Sequence, residues 1–241
     1  MARLFHVSDL HFGREDQAAM RWFAGLVHAE KPDAVVCTGD LTMRARKAEF
    51  AAAGEWLKAL GVPVTVEPGN HDLPYFNPLA RLLDPYRRYR KIEALVELPL
   101  ELPGVQVVPL KTTARLQLRD LSHGRVSRSG LKAALELLAQ KSAGTCAIIA
   151  CHHPLIRTNF TGHGDTRRGA EALALLAEAG ADAVISGHVH DAFDVAHHES
   201  GRLVRLIGAG TLSERLRSTR PSFNELRVDG GQLTVINRVM A

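Results

Sequence analysis

Cysteine is scarce. Only Cys37, Cys146 and Cys151 occur among the 241 residues, each inside an apolar run and none in CxxC spacing. An odd, strand-embedded set excludes a disulfide scaffold and points to a reducing compartment, the cytoplasm. Long apolar runs are also missing. No uninterrupted run is long enough to span a bilayer. The chain enters a strand by Leu4, with neither the apolar core nor the small-residue cleavage site of a secretion signal. Low-complexity tracts, repeats and linker-like stretches are absent, so one domain over residues 1–241 is expected. Charge of one sign is not concentrated either. The net charge is +4, and arginines are spread in small clusters such as Arg87-Arg88 and Arg167-Arg168. A nucleic-acid groove needs basic charge gathered on one face, so a solvated basic surface is the plainer reading.

What the sequence does contain is the composition of a globular protein, 46% hydrophobic and 23% charged. Leu4–Val7, Ala34–Cys37 and Val62–Pro68 read as buried strands. Between them, 16–30 and 45–60 carry helical spacing, the second closed by Gly61. This β-α-β-α-β order predicts a parallel sheet with right-handed crossovers. Residues 79–89 predict one helix, which packs Tyr86 and Tyr89 and leaves the neighbouring arginines in water. Strands are expected at 105–110, 114–118, 146–151 and 183–185, and helices at 129–141, starting at Ser129, and at 170–179. The loop at 159–169 is rich in Gly and charge. From 192 onward, strands at 192–197, 203–207, 223–228 and 233–239 with short turns predict a mostly antiparallel half.

Five apolar runs end in residues that can bind a metal: Asp9-Leu10-His11, Gly39-Asp40, Gly69-Asn70-His71-Asp72, His152-His153-Pro154 and Gly187-His188-Val189-His190. Parallel strands share a carboxyl edge, where α/β folds place their chemistry, so these groups should converge. In an extended His188-Val189-His190 both rings would point the same way, and the same holds for Asp9 and His11. The set Asp9, His11, Asp40, Asn70, His152, His188 and His190 mixes oxygen with imidazole donors. Such donors suit Mn, Fe, Zn or Co better than Mg or Ca. Seven donors are too many for one ion with open positions, and suit two ions sharing a carboxylate. A pair of ions ~3.5–4 Å apart clamps a phosphate and acidifies the water between them for in-line attack on phosphorus.

These five ordered motifs resemble the calcineurin-like metallophosphoesterases, over about residues 3–239. Val-Ser-Asp-Leu-His-Phe-Gly at 7–13, Thr-Gly-Asp-Leu-Thr at 38–42 and His-His-Pro at 152–154 are most similar to the class III cyclic-nucleotide phosphodiesterase branch. Gly-Asp-Leu-Thr-Met-Arg-Ala and Gly-Asn-His-Asp depart from the protein phosphatases of the family. The resemblance implies an α/β fold, a four-layer α-β-β-α sandwich of two mixed sheets, metallo-dependent phosphatase-like, with residues 73–102 as a candidate small cap. It implies one metal on Asp9, His11, Asp40 and His190, and a second on Asp40, Asn70, His152 and His188. It also implies His71 as proton donor to the leaving oxygen, with Asp72 orienting it. The implied partner is a small-molecule phosphodiester such as a cyclic nucleotide, and a homodimer is a common assembly for compact enzymes.

Alternatives remain open on the sequence alone. His153 could replace His152 as ligand. Arg215 and Arg217 could grip a phosphate or form surface salt bridges. His163 could touch substrate or lie in solvent. The same fold hosts DNA exonucleases, although this sequence stops close to its last strand where those carry a DNA-binding extension. It also hosts nucleotide-lipid pyrophosphatases and non-catalytic scaffolds, and scaffolds usually lack some of the ligands present here.

Overall fold

Apolar residues run unbroken through Ala34–Cys37 and Cys146–Ala150, all buried, because both faces of each sheet are covered there. The structure, a computed structural model, describes residues 1–96, 100, 102–115, 120–158 and 166–241. The chain begins β1 (Ala2–Val7), α1 (Gln17–Glu30), β2 (Ala34–Cys37), α2 (Lys47–Ala59) and β3 (Val64–Val66). The short helices α3 (Pro78–Leu83) and α4 (Tyr89–Val96) follow. Then come β4 (Val105–Pro109), α5 (Arg128–Leu138), β5 (Cys146–Ala150), α6 (Gly169–Glu178) and β6 (Ala183–Ser186). The hairpins β7 (Phe193–Glu199) to β8 (Arg202–Gly208) and β9 (Ser222–Asp229) to β10 (Gln232–Val239) end the chain.

Two mixed sheets result, ordered β10-β9-β1-β2-β3 and β4-β5-β6-β8-β7. Strands β1, β2 and β3 pair in parallel, as do β4, β5, β6 and β8, while β7, β9 and β10 are antiparallel additions. Alternation along each strand builds three apolar layers. Leu4, Val36, Ile148, Ile185, Ile207 and Leu226 meet between the sheets. Phe5, Val35 and Val64 face outward onto Phe23, Leu57 and Ile92 of α1, α2 and α4. Ala147, Ile149 and Val184 face outward onto Leu131, Leu138 and Leu176 of α5 and α6. Each fully buried Leu or Ile contributes roughly 1.5–3 kcal/mol, and together they weld two sheets and two helical layers into the expected α-β-β-α sandwich. Among the described residues no helix is long and apolar enough to cross a membrane.

Local chemistry shifted some expected boundaries. The single helix expected over 79–89 is two, because Pro85 has no N–H to donate and disfavours helical backbone at Asp84, which sits at φ −151°. Asn77 caps α3 by accepting from the Ala80 N–H. Helix α5 is capped by Ser127, whose Oγ accepts from the Gly130 N–H, and not by Ser129. Ala114 and Arg115 are not in a strand, and the rest of the strand expected at 114–118 lies outside the described residues, as does His163.

One buried histidine belongs to this framework. The Asn224 amide faces His6 Nδ1 and donates to it, so His6 Nε2 carries the proton toward Thr38 Oγ1 at 2.9 Å. Burial pushes the His6 pKa down to about 3, against the pull of the Asp9 charge. A base whose folded pKa lies below its unfolded value of about 6.5 takes up a proton more readily when unfolded. Its contribution is therefore complete above the unfolded value and is lost as pH falls toward 3. About 2 kcal/mol should be gone by pH 5. Urea midpoints at pH 7.5 and 5.0 for the wild type and His6→Gln check this. The variant should show the shallower fall; equal slopes contradict the assignment.

Candidate metal centre

The carboxyl ends of β1, β2 and β3 meet those of β5 and β6 along one edge of the sandwich. Backbone bonds from Asp9 N–H to the Gly39 carbonyl (3.0 Å) and from His11 N–H to the Asp40 carbonyl (2.9 Å) tie the first two loops together. The His188 N–H donates to Asp9 Oδ2 (2.8 Å), which joins the second sheet to the first. Close approach is made possible by glycine: a Cβ on Gly69 would stand 2.1 Å from Asp40 Oδ1.

The backbone here is not extended, as the alternation argument required. Asp9 (φ 57°), His11 (45°), Asp40 (51°), His188 (71°) and His190 (64°) are all left-handed. Each such residue costs roughly 1–2 kcal/mol, and the loop network holds them there. The left-handed turns separate the two rings of Gly-His-Val-His. His190 turns toward Asp9 and His11, while His188 packs against the rings of His152 and His153 at 5.3 and 4.6 Å between centroids.

The seven expected ligands thus come together, nearly all buried. His190 Nε2 lies 3.1 Å from Asp9 Oδ1 and 3.2 Å from His11 Nε2. His152 Nε2 lies 3.1 Å from Asn70 Oδ1 and 3.4 Å from Asp40 Oδ2, and Asp40 Oδ2 is 3.8 Å from His11 Nε2. Donor atoms of Asp9, His11 and His190 lie within 4.8 Å of one another, as do those of Asp9, Asp40 and His152. The histidines are aimed from behind. His152 Nδ1–H donates to the Thr38 carbonyl (2.8 Å), and His190 Nδ1–H to the Arg215 carbonyl (2.6 Å). Each leaves Nε2 directed into the cleft, the arrangement that outer partners impose on metal-binding imidazoles.

Three comparisons bear on this geometry. The sequence model of the calcineurin-like phosphoesterases matches residues 2–192. The chain belongs to the calcineurin-like phosphoesterase family. It is 30% identical to a probable glycerophosphodiester phosphodiesterase GpdQ of Arcobacter nitrofigilis, over 66% of this chain and 57% of that protein. It is 25% identical to a probable cyclic nucleotide phosphodiesterase of a Synechococcus species, over 78% and 72%. A dimetal phosphatase from Danio rerio shares the fold, with TM-score 0.72 and 14% identity over 99% of this chain and 96% of its own. The chain spans between a third and little more than half the length of the glycerophosphodiester phosphodiesterases it matches.

The electrostatics of this calcineurin-like site are those of a cation cradle. Burial works to raise the Asp9 pKa, yet the His190 charge and hydrogen bonds from His11 and His190 hold it well below the carboxylate range. Asp40 is likewise held down, against burial, by His152 and His71. Burial lowers His188 to about 4. His152 goes the other way: despite burial, the Asp40 carboxylate raises it to about 9. The Nε2 atoms of His11 and His190 crowd together at 3.2 Å, and buried Asp9 Oδ1 and His11 Nδ1 have no well-aligned hydrogen-bond partner. Divalent cations satisfy these oxygen and imidazole donors together, so the residues present fit the metals the family implies.

Three residues took parts the sequence did not indicate. His153 is committed elsewhere: Nε2–H donates to the Ser122 carbonyl (2.9 Å) and Nδ1 accepts from Thr112 Oγ1 (2.9 Å). Although its ring lies near those of His152 and His188, it has no lone pair free for an ion, whereas His152 does. Asp72 does not orient the His71 ring. Its carboxylate accepts from the N–H groups of Leu41 (3.1 Å), Thr42 (2.9 Å) and Gly69 (2.9 Å), and so clasps the Asp40 loop to the Asn70 turn. Burial, and then the Asp40 charge, raise its pKa to about 7. The His71 ring is oriented by the Met43 carbonyl, which accepts from Nδ1–H at 2.8 Å.

Proposed function

We propose that this chain hydrolyses small phosphodiesters with two divalent metal ions. One ion would be held by Asp9, His11, Asp40 and His190, and the other by Asp40, Asn70, His152 and His188. The observation that carries the reading is the central Asp40 carboxylate, whose Oδ2 lies within reach of both the His152 and the His11 Nε2 atoms. Manganese, iron, zinc and cobalt all suit the donors. When bound, such a pair supplies Lewis-acid polarisation of a phosphoryl oxygen and a nucleophile usable at neutral pH.

The protein's own residues do the rest. The Asn70 and His152 side chains close one side of the cradle, and Asp9, His11 and His190 the other. The Met43 carbonyl fixes the His71 tautomer, so that Nε2 is the ring atom able to carry a proton to the leaving oxygen. The diesterase preference and the small-molecule substrate class, glycerophosphodiesters or cyclic nucleotides, are supported by the relatives that bear those names. We read the whole chain as one phosphoesterase unit with 73–102 as its small cap, and the Tyr75 ring stacks near His71. Its three free, buried thiols support a cytoplasmic setting.

The experiment is an assay of manganese-loaded protein. It should cleave bis-p-nitrophenyl phosphate faster than p-nitrophenyl phosphate, and lose both activities to a chelator. Equal or reversed preference ends the diesterase reading; activity indifferent to the chelator ends the metal reading.

A further inference from the structure

Arg215 lies in the segment between β8 and β9, and its backbone is fixed at the metal cradle. Its N–H donates to Ser213 Oγ (3.3 Å) and its carbonyl accepts from His190 Nδ1–H (2.6 Å). Four residues before Arg215, Thr211 Oγ1 pairs with Ser213 Oγ (2.7 Å) and donates to the Asp9 carbonyl (2.6 Å). The side chain is half-buried and reaches across the mouth of the site. One guanidinium N–H group faces His71 Nε2 at 3.0 Å and His11 Nε2 at 3.3 Å. No carboxylate pairs with this guanidinium among the described residues.

That pairing is anomalous for arginine. A half-buried guanidinium is normally matched by a carboxylate or phosphate, whose two oxygens fit its planar fork. Here, among the described residues, it faces imidazole nitrogens, and both belong to groups with other work. His11 Nε2 is a donor of the cradle, and a cation bound to it removes that acceptor and repels the arginine. His71 Nε2 is the proton-carrying atom. The guanidinium is therefore left with a positive charge and a set of donors facing the point where a phosphate must sit.

The geometry points to Arg215 as a substrate-contacting residue, whose guanidinium grips the non-bridging oxygens of the phosphate between His11 and His71. Gripping the anion also turns its donor away from His71 Nε2, which frees that atom for the leaving group. The assignment rests on the phosphoesterase reading above and adds to it a residue outside the metal-binding motifs. Arg217, two residues on, is exposed.

The test uses metal-loaded wild type, Arg215→Gln and Arg215→Lys. Metal content is measured by plasma mass spectrometry, inorganic phosphate affinity by calorimetry, and kinetics on bis-p-nitrophenyl phosphate. Arg215→Gln should keep its ions, bind phosphate about 10–100-fold more weakly and show a raised KM, as expected for one lost charge-assisted contact. Arg215→Lys, with the charge but not the fork, should fall between. Unchanged phosphate affinity and KM in Arg215→Gln overturn the assignment, as does a loss of ions, which would make Arg215 a support for His190. A wild type that binds ions and phosphate but cleaves no phosphodiester would sink the functional reading and leave the Arg215 anion site standing.

Discussion

Asp40→Asn should lose hydrolytic activity by on the order of 10³-fold or more, together with at least one bound ion per chain. The choice of Asn is deliberate. Asp40 has φ 51°, a conformation that Asn tolerates and most side chains do not, so the loop should survive the change. An Asn oxygen can also still accept the His71 N–H that Asp40 Oδ1 accepts at 2.8 Å. What is removed is the charge, and it is the charge that Oδ2 presents to both histidine groups. A metal-free readout is available as well. His152 is raised to about 9 because Asp40 faces it, against burial that works the other way. Without the carboxylate, burial wins and the imidazole should titrate below its ordinary value. In the metal-free wild type, a base raised by folding adds stability below its unfolded pKa, and that stability disappears as pH rises through about 9. Asp40→Asn should lack this alkaline decline. Carbon-detected NMR of His152 and metal analysis together decide it. A variant that retains two ions and the wild-type rate removes Asp40 from the centre of the site.

The convergence of Asp9, Asp40, Asn70, His152 and His188 was legible in the sequence because two facts sufficed. Apolar runs mark buried strands, and helices between them force parallel pairing, so the polar strand ends share an edge. The layers followed for the same reason. The details that remained hidden depend on contacts between residues far apart in the chain. Asp72 sits one position from His71, and local spacing suggested that it serves that ring. In the fold its carboxylate accepts from Leu41 and Thr42, about thirty residues away, as well as from Gly69, and the ring answers to the Met43 carbonyl instead. His152 and His153 are indistinguishable as letters. Only the placement of Thr112 and Ser122, which occupy both nitrogens of His153, separates them. The left-handed turns at His188 and His190 were hidden too, since nothing in Gly-His-Val-His distinguishes a strand end from a pair of tight turns. The break at Asp84-Pro85 had a local signal, and the helical spacing of the residues around it outweighed it. Arg215 was visible as a candidate, but a surface salt bridge fitted the sequence equally well until its neighbours proved to be imidazoles.

His71→Asn should separate the two halves of the chemistry. The His71 ring holds no place among the seven donors assigned to the ions, so metal content and phosphate affinity should stay near wild type. Its contribution is a proton at Nε2, and general acid help is worth about 10²–10⁴-fold. That help matters in proportion to how poorly the leaving oxygen bears negative charge. A p-nitrophenolate departs well without a proton, whereas an alkoxide, as in a glycerophosphodiester, does not. The variant should therefore lose about 10²–10⁴-fold in kcat on an alkyl diester, and less than about tenfold on bis-p-nitrophenyl phosphate. Asn also keeps a side-chain N–H for the Met43 carbonyl, so the turn at Asn70–Asp72 should stay in place. Kinetics on the two substrates with the same metal-loaded preparation make the comparison internal. An equal loss on both would mean that His71 positions substrate or metal rather than passing a proton. No loss on either would leave the proton to a group outside the Gly-Asn-His-Asp turn.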